Sequence, residues 1–179
     1  MSAKYDILRK LEGGDLRSIG RVDEVIADVL EDQSLFGVLF DGMLRDDPLI
    51  RMRSADAVEK ISEGHPEFLQ PYKSQLITQV ARSQQQEVRW HVAQMLPRLT
   101  LSSGERKVAV DILMEYMDDK SRIVKTFSMQ ALADLAGDDP DLRSQVTALL
   151  EWAAIDGSPA MKSRARKLLK SMGSPLPTC

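Results

Sequence analysis

Few side chains in this chain have the residue types and the spacing that catalysis or metal binding requires. The sequence contains two histidines, His65 and His91, and one cysteine, Cys179. If His91 lies on a helix, the residues one turn away are Glu87 and Met95, which do not complete a set of metal ligands. The sequence also has no glycine-rich phosphate loop after a strand, no nucleophile elbow and no evident pair of inward-facing carboxylates. We therefore predict no catalytic residue, no bound metal and no cofactor.

Aromatic and basic side chains are the stronger candidates, and the chemistry that they support is recognition. Phe, Trp and Tyr make up only 5% of the sequence, so Trp90 and Phe127 are informative at positions predicted to face away from a helical core. An exposed aromatic ring near arginines is typical of the centre of a protein interface, and it is also able to stack on a nucleic-acid base. Burial of either ring between helices is the alternative. The residues predicted to contact a partner are Met52, Arg53, Arg89, Trp90, His91, Gln94, Phe127, Gln130, Arg164 and Lys167.

Charge and composition narrow the class of protein. The 24 Lys and Arg against 27 Asp and Glu give a net charge of −3, which offers no overall attraction to nucleic acid or to an anionic membrane. The apolar runs are far shorter than the roughly 20 residues of a membrane-spanning helix, and the first residues lack the apolar block of a secretory signal. We predict a cytoplasmic protein that does not associate with membranes. Cys179 is predicted to be an unpaired thiol in a flexible tail, residues 173–179.

An internal repeat organises the helices that carry the candidate residues. Four segments begin with an apolar residue followed by a basic one, at Ile50, Val88, Val124 and Met161. These starting positions are 38, 36 and 37 residues apart, which is a period typical of helical repeat proteins. Within the segments the apolar residues recur at offsets 0, 4, 7, 8 and 11, which form one stripe of a helix with about 3.6 residues per turn. Each segment is therefore predicted to be an amphipathic helix.

Other apolar-periodic stretches alternate with these four helices, so the repeating unit is predicted to be a helical hairpin. The alternating stretches are 35–44, 68–80, 108–117 and 146–153. Helix starts are marked by a capping residue followed by proline, or by a capping box. These marks are Asp47-Pro48, Asp139-Pro140, Ser158-Pro159, and Ser102 with Glu105. Pro71 lies inside a helical pattern and predicts a kink there.

The predicted fold is all-α. No stretch has the alternating pattern and β-branched enrichment of a strand, and one hairpin cannot bury both of its apolar faces, so neighbouring hairpins must stack into an α-solenoid. We predict one domain. It consists of N-terminal capping helices within 1–32 (Tyr5–Leu11 and Asp15–Leu30), four repeats at about 33–64, 65–100, 101–136 and 137–172, and the tail 173–179.

The leading segments of two repeats resemble the second helix of a HEAT repeat. In the runs Ile50–Val58 and Glu87–Leu96, an apolar residue and an arginine are followed by paired small residues. The resemblance covers roughly residues 33–172 and implies a right-handed HEAT/armadillo-like superhelix of stacked antiparallel hairpins, with the second helices on the concave side. It also implies that the basic residue after the leading apolar position is structural and is often held by an acidic residue of a neighbouring turn, with ligand contact as the alternative. These basic residues are Arg51, Arg89, Lys125 and Lys162.

Charge is segregated between the two sets of helices. If the second helices span 47–62, 83–99, 120–136 and 157–172, they carry a net charge of +8, and the rest of the chain carries −11. If these helices share one side, that side is an electropositive groove. A solvated helix surface, or a polar cap on the last repeat, is the alternative.

These features predict a non-enzymatic scaffold or adaptor that binds an acidic or amphipathic protein or peptide on its basic concave face. Trp90 is the predicted anchor, with Phe127 and Met52 beside it. The runner-up is a nucleic-acid-binding protein similar to the HEAT-like DNA alkylation-repair glycosylases, which needs a groove acid such as Asp56 or Asp134. A structural module within a larger assembly is the third reading.

Overall fold

The computed structural model describes residues 6–15 and 17–174, and all of the regular secondary structure in those residues is helical. The chain divides into two compact units, an N-terminal unit that ends at Thr100 and a C-terminal unit that begins at Leu101. This division falls at the predicted boundary between the second and third repeats. The single domain, the four repeats and a groove running through all of them stay predictions.

The N-terminal unit contains seven α-helices in its described residues and is built around the fourth. The helices are α1 (Asp6–Arg9), α2 (Val22–Glu31), α3 (Phe36–Gly42), α4 (Pro48–Gly64), α5 (Pro66–Leu69), α6 (Lys73–Thr78) and α7 (Gln86–Met95). Short 3-10 helices span Gln33–Leu35, Gln70–Tyr72, Val80–Arg82 and Leu96–Arg98. Helix α4 packs against α2, α3 and α7, and its buried stripe includes Ala55, Val58 and Ile61. The side chain of Asp47 accepts hydrogen bonds from the N–H groups of Leu49 and Ile50, as its capping position predicts.

The N-terminal cap differs from the predicted pair of helices. The predicted helix Asp15–Leu30 is wrong in its first half, because α2 begins only at Val22. Gly13, Gly14 and Gly20 have positive φ angles of 77°, 84° and 60°, and the described residues between them are not helical. Glycine adopts this conformation without the steric cost that other residues carry. The described residues 11–15 and 17–20 therefore form a loop, which we call the cap loop.

Pro71 interrupts the predicted helix completely, whereas only a kink was predicted. The stretch predicted as one helix, 68–80, is divided among α5, a 3-10 turn at Gln70–Tyr72, α6 and the start of the turn at Val80–Arg82. Proline lacks the N–H donor and its ring clashes with the preceding turn, so the chain tightens into a 3-10 turn. The same effect ends α7 before Pro97, where the turn Leu96–Arg98 follows.

The C-terminal unit is more regular and has four helices in its described residues. They are α8 (Ser103–Tyr116), α9 (Arg122–Ala136), α10 (Pro140–Asp156) and α11 (Pro159–Ser171). Helix α9 packs against α8, α10 and α11, and α10 also packs against α11. The predicted capping box is present, with both of its hydrogen bonds between Ser102 and Glu105, and the side chains of Asp139 and Ser158 cap α10 and α11. The tail prediction falls largely on 175–179, outside the described residues.

The four predicted second helices, which carry the candidate residues, are confirmed as helices. They correspond to α4, α7, α9 and α11. No helix in the described part of the chain is long and apolar enough to cross a membrane.

Candidate functional site

Four of the predicted contact residues are buried in the N-terminal unit. Only 1% of Arg53 and 8% each of Met52 and His91 are solvent-accessible, and Arg89 is buried as well. The prediction that these positions face away from the core is therefore wrong for Met52, Arg53 and His91. The physical reason is that a second layer, the cap loop and helix α2, covers this side of α4. His91, on α7, is buried because α7 packs against α4.

Arg53 holds the cap loop by donating hydrogen bonds to its carbonyl oxygens. Its Nη1 donates to Leu11 O and Gly13 O, both at 2.7 Å. Its Nε lies 3.0 Å from Ser18 O, and its Nη2 lies 3.3 Å from Asp15 O. A buried guanidinium needs such acceptors, and buried carbonyls need donors. Arg53 is thus occupied within the chain and is not placed to meet a partner.

Two further arginines of the second helices hold loops of the same unit. Arg89 donates from Nε to Ser83 O at 2.7 Å and from Nη2 to Gln84 Oε1 at 2.8 Å. Arg51 donates to Gln85 Oε1 at 3.0 Å, and to the carbonyls of Arg45 and Asp46 at 2.8 Å each. The resemblance implied a structural role for both residues, and these hydrogen bonds agree with it. The acceptors named here are carbonyls and amide side chains, whereas the resemblance implied acidic residues.

His91 lies between two carboxylates of α4 without a close bond to either. Its Nε2 is 3.8 Å from Asp56 Oδ1, and its Nδ1 is 3.9 Å from Glu59 Oε2. The Nδ1 atom is buried and has no hydrogen-bond partner among the described residues. The pKa of His91 is lowered to about 4, mainly because the ring is buried. The negative charge of Asp56 opposes this shift, and the positive charges of Lys60 and Arg98 add to it. The imidazole is therefore neutral at pH 7.

Both of these carboxylates already have cationic partners. Lys60 Nζ lies 2.8 Å from Asp56 Oδ2, and Arg98 pairs with Glu59. No group of three or more His, Cys, Asp or Glu that could hold a metal ion occurs in the described part of the chain. This cluster is therefore a polar core in which each carboxylate is neutralised, and Asp56 is not an isolated groove acid.

Trp90, the predicted anchor, is half-buried. It lines a small cavity of 180 Å³ between the cap loop, α4 and α7, together with Ile19 and Glu87. Its ring centroid lies 5.7 Å from that of His91. Gln94 is also half-buried, and its amide donates to the carbonyl of Trp90 at 3.2 Å. The structure thus leaves part of this ring accessible and uses the rest to pack.

The C-terminal unit brings its four candidate residues together. Phe127 and Gln130 of α9 and Arg164 of α11 are half-buried, and Lys167 is exposed. Arg164 Nη1 donates to Gln130 Oε1 at 2.8 Å, which ties the two helices. Lys167 lies about one turn further along α11 from Arg164, on the same side.

Ile123 belongs to this surface and was not among the predicted residues. It is 49% exposed and lies four residues before Phe127, so the two side chains are neighbours on α9. That spacing is the sequence signal that could have identified it. Asp134 continues the same stripe, and its Oδ1 accepts from Gln130 Nε2 at 2.9 Å. We call Ile123, Phe127, Gln130, Arg164 and Lys167 the α9–α11 surface.

The electrostatics of the α9–α11 surface are set by α11. This helix has five Lys and Arg and no Asp or Glu. Arg166 lies on the side that faces α10, where its Nη2 is 3.4 Å from Ala154 O. An apolar pair on α9, with cations on the neighbouring helix α11, is suited to an amphipathic, acidic ligand.

Comparisons with known proteins bear on the fold and the family. The family model described as HEAT repeat domain matches residues 14–172. It therefore includes most of the cap loop and α2 in addition to the predicted repeats. A comparison with curated proteins gives no match, and neither does a comparison with solved structures. HEAT repeats generally mediate protein interactions and are generally non-enzymatic. With a match across most of its length and an all-helical fold of helices packed on their sequence neighbours, the chain belongs to the HEAT-repeat family.

Proposed function

We propose that this chain is a non-enzymatic, cytoplasmic interaction module that binds an acidic amphipathic protein segment on the α9–α11 surface. The observation that carries the proposal is the apolar pair Ile123 and Phe127 on α9, next to a helix with five basic residues and no acidic ones. Exposed isoleucine is costly to leave in water, and a contact that covers it is favourable.

The spacing within this surface favours a helical ligand. Ile123 and Phe127 form one ridge because they are four residues apart, and a ligand helix presents matching apolar residues at the same interval. The neighbouring helix α11 contributes Lys167 and Arg164, which bonds to Gln130 further along this ridge. These cations pair with acidic residues on the polar side of such a ligand. The proposed contact thus has an apolar centre and a charged rim, which is the usual composition of a protein interface.

The N-terminal unit enters this proposal only through its accessible residues. Trp90 and Gln94 are kept as a proposed second contact area, since both are half-buried. Met52, Arg53, Arg89 and His91 are left out because they are buried. We therefore place the basic part of the proposed site on α9 and α11 instead of on all four second helices.

The proposal is tested by titrating the full chain with two synthetic amphipathic peptides about four helical turns long. One is built from leucine and glutamate, and the other has lysine in place of every glutamate. We expect the glutamate peptide to bind, and Phe127→Ala to weaken it about tenfold or more. Lys167→Glu is expected to weaken it as well, whereas the matched control Lys107→Glu, an exposed lysine of α8, leaves the affinity unchanged.

Two results would contradict the proposal. One is an affinity for the glutamate peptide that neither Phe127→Ala nor Lys167→Glu changes. The other is tight binding of duplex DNA that competes with the peptide and weakens steeply as salt rises, since that dependence is the mark of phosphate contacts. The second result would favour the nucleic-acid alternative, for which Asp134 is the acid next to this surface.

A further inference from the structure

The outward face of α10 carries a second apolar site that the proposed function does not use. Trp152 and Ile155 are each 47% exposed, and they share one face of the helix because they are three residues apart. Ala148, one turn before Trp152, is exposed as well. We call these three residues the α10 outer face.

The core of the C-terminal unit does not require apolar residues at these positions. Helix α10 buries Leu142, Val146 and Leu150 on the opposite side, where it packs against α9 and α11. The α10 outer face is therefore separate from the apolar stripe by which α10 packs into the core of the unit. Large apolar side chains that are grouped on a surface mark an interaction site more often than scattered ones do.

The preceding repeat supplies an internal control for this face. The N-caps of α8 and α10, Ser102 and Asp139, are 37 residues apart, which matches the repeat period. The residues equivalent to the α10 outer face all lie 37 positions earlier, and all three are exposed and acidic. They are Asp111, Glu115 and Asp118. The repeat fold thus accepts acidic residues at these positions, and their replacement by apolar ones is particular to the last repeat.

The charges around the α10 outer face are mainly acidic. Asp141, Glu151 and Asp156 are all on α10. The basic residue of the same helix, Arg143, is directed elsewhere, because it donates to Gly137 O and Met172 O. Arg166 of α11 is the nearby cation, and it lies beside the carbonyl of Ala154. The ligand that complements this face is therefore apolar and basic.

The size of the face indicates a short segment rather than a whole subunit. Trp152 and Ile155 expose on the order of 200 Å² together, whereas a stable protein interface takes about 800 Å² from each partner. An area of 200 Å² corresponds to one or two apolar anchors on a single ligand helix. We propose that the α10 outer face docks a basic amphipathic segment of a partner protein.

The two tryptophans of the chain make this proposal measurable. In a Trp90→Phe variant, Trp152 is the single fluorophore, and its emission is expected to shift to shorter wavelength when the leucine–lysine peptide described above binds. Ile155→Ser in that background is expected to weaken binding about tenfold. The matched control Val108→Ser, an apolar residue of α8 that is 39% exposed, leaves the affinity unchanged. Titration calorimetry on the chain with both tryptophans gives the same affinities without the reporter substitution.

Three results would overturn the proposal. The first is a lysine-peptide affinity that Ile155→Ser does not change. The second is an equal shift of Trp152 emission with the glutamate peptide, which would remove the charge argument. The third is concentration-dependent dimerisation that Ile155→Ser abolishes, which would make a second copy of this chain the occupant. The α9–α11 surface is tested with the opposite peptide and with Phe127, so each proposal fails or holds separately.

Discussion

The two units use the basic residues of their second helices differently. In the N-terminal unit, Arg51, Arg53 and Arg89 all donate to loop carbonyls or to amide side chains. In the C-terminal unit, Arg164 donates to the amide side chain of Gln130, and Lys167 is exposed. Arg53 and Arg164 occupy the same offset in their repeats, yet Arg53 is buried and holds a loop, whereas Arg164 is half-buried and joins α11 to α9.

The ends of the second helices in the C-terminal unit are held by residues of the first helices. Two arginines that are 37 residues apart, and therefore repeat-equivalent, donate to carbonyls there. Arg106 of α8 donates to Leu135 O and Ala136 O at the end of α9. Arg143 of α10 donates to Met172 O at the end of α11. The last carbonyls of a helix have no partner within it, and these two arginines supply donors to them.

The largest effect expected from this comparison is the loss of Arg53. Arg53→Ala removes the donors of four cap-loop carbonyls and leaves a void, and we expect the free energy of unfolding of the N-terminal unit to fall by about 4 kcal/mol. Urea unfolding measures it. The matched control is Arg164→Ala in the C-terminal unit, for which we expect a change within about 0.5 kcal/mol. Equal losses for the two variants would contradict the distinction between the units.

The sequence predicts the fold well because the fold depends on local signals. The capping residues Asp47, Ser102 and Asp139 each begin a helix as predicted, since a cap acts within one turn of its own residue. The apolar stripe of each second helix is likewise a property of its own residues. The predicted helix over Asp15–Leu30 is wrong around Gly20 because the pattern of apolar residues there is also compatible with a helix.

The candidate site was harder to predict because exposure depends on what covers a helix. Arg53 and Arg164 occupy the same offset in their repeats, yet only Arg53 is covered by the cap loop. Counting charges by helix cannot make this distinction, since a buried guanidinium and a solvated one contribute equally to the sum. Trp152 illustrates the reverse case, because its helix was predicted while its exposure was not.

Lowering the pH is expected to destabilise the N-terminal unit more than the C-terminal unit, because both histidines lie in the N-terminal one. The pKa of His91 is lowered to about 4 in the folded chain, against about 6.5 in an unfolded one. Between these values the unfolded state binds more protons, so stability is complete above pH 6.5 and is lost as the pH falls toward 4. We expect the N-terminal unit to lose roughly 3 kcal/mol over this range.

Single-tryptophan variants make this pH effect separable. Trp90 reports the N-terminal unit in a Trp152→Phe variant, and Trp152 reports the C-terminal unit in a Trp90→Phe variant. His91→Gln removes the titrating group and should flatten the pH dependence of the Trp90 signal. A dependence that is unchanged by His91→Gln would contradict the assignment of the effect to His91.

A smaller effect is expected from the arginines that cap the second helices of the C-terminal unit. Arg143→Ala removes the hydrogen bonds to Gly137 O and Met172 O, and we expect a loss of about 1 kcal/mol, because these carbonyls are near the surface and regain water. Arg166→Ala is the matched control, since Arg166 is exposed and makes one long contact at 3.4 Å. If both variants lose the same stability, the capping hydrogen bonds of Arg143 do not stabilise the C-terminal unit beyond an ordinary surface contact.

The smallest effect on stability is expected where we propose binding. Lys167 is exposed, and it lies on a helix whose four other basic residues repel it. Lys167→Glu should therefore change the free energy of unfolding by less than about 0.5 kcal/mol, with relief of repulsion favouring the variant. The same substitution is expected to weaken the glutamate peptide. A residue that holds a loop would show the opposite pattern. Its substitution would change the free energy of unfolding strongly, and any loss of binding would be a consequence of that instability. The ratio of the two effects, measured for Lys167→Glu and for Arg53→Ala, therefore distinguishes a recognition residue from a structural one.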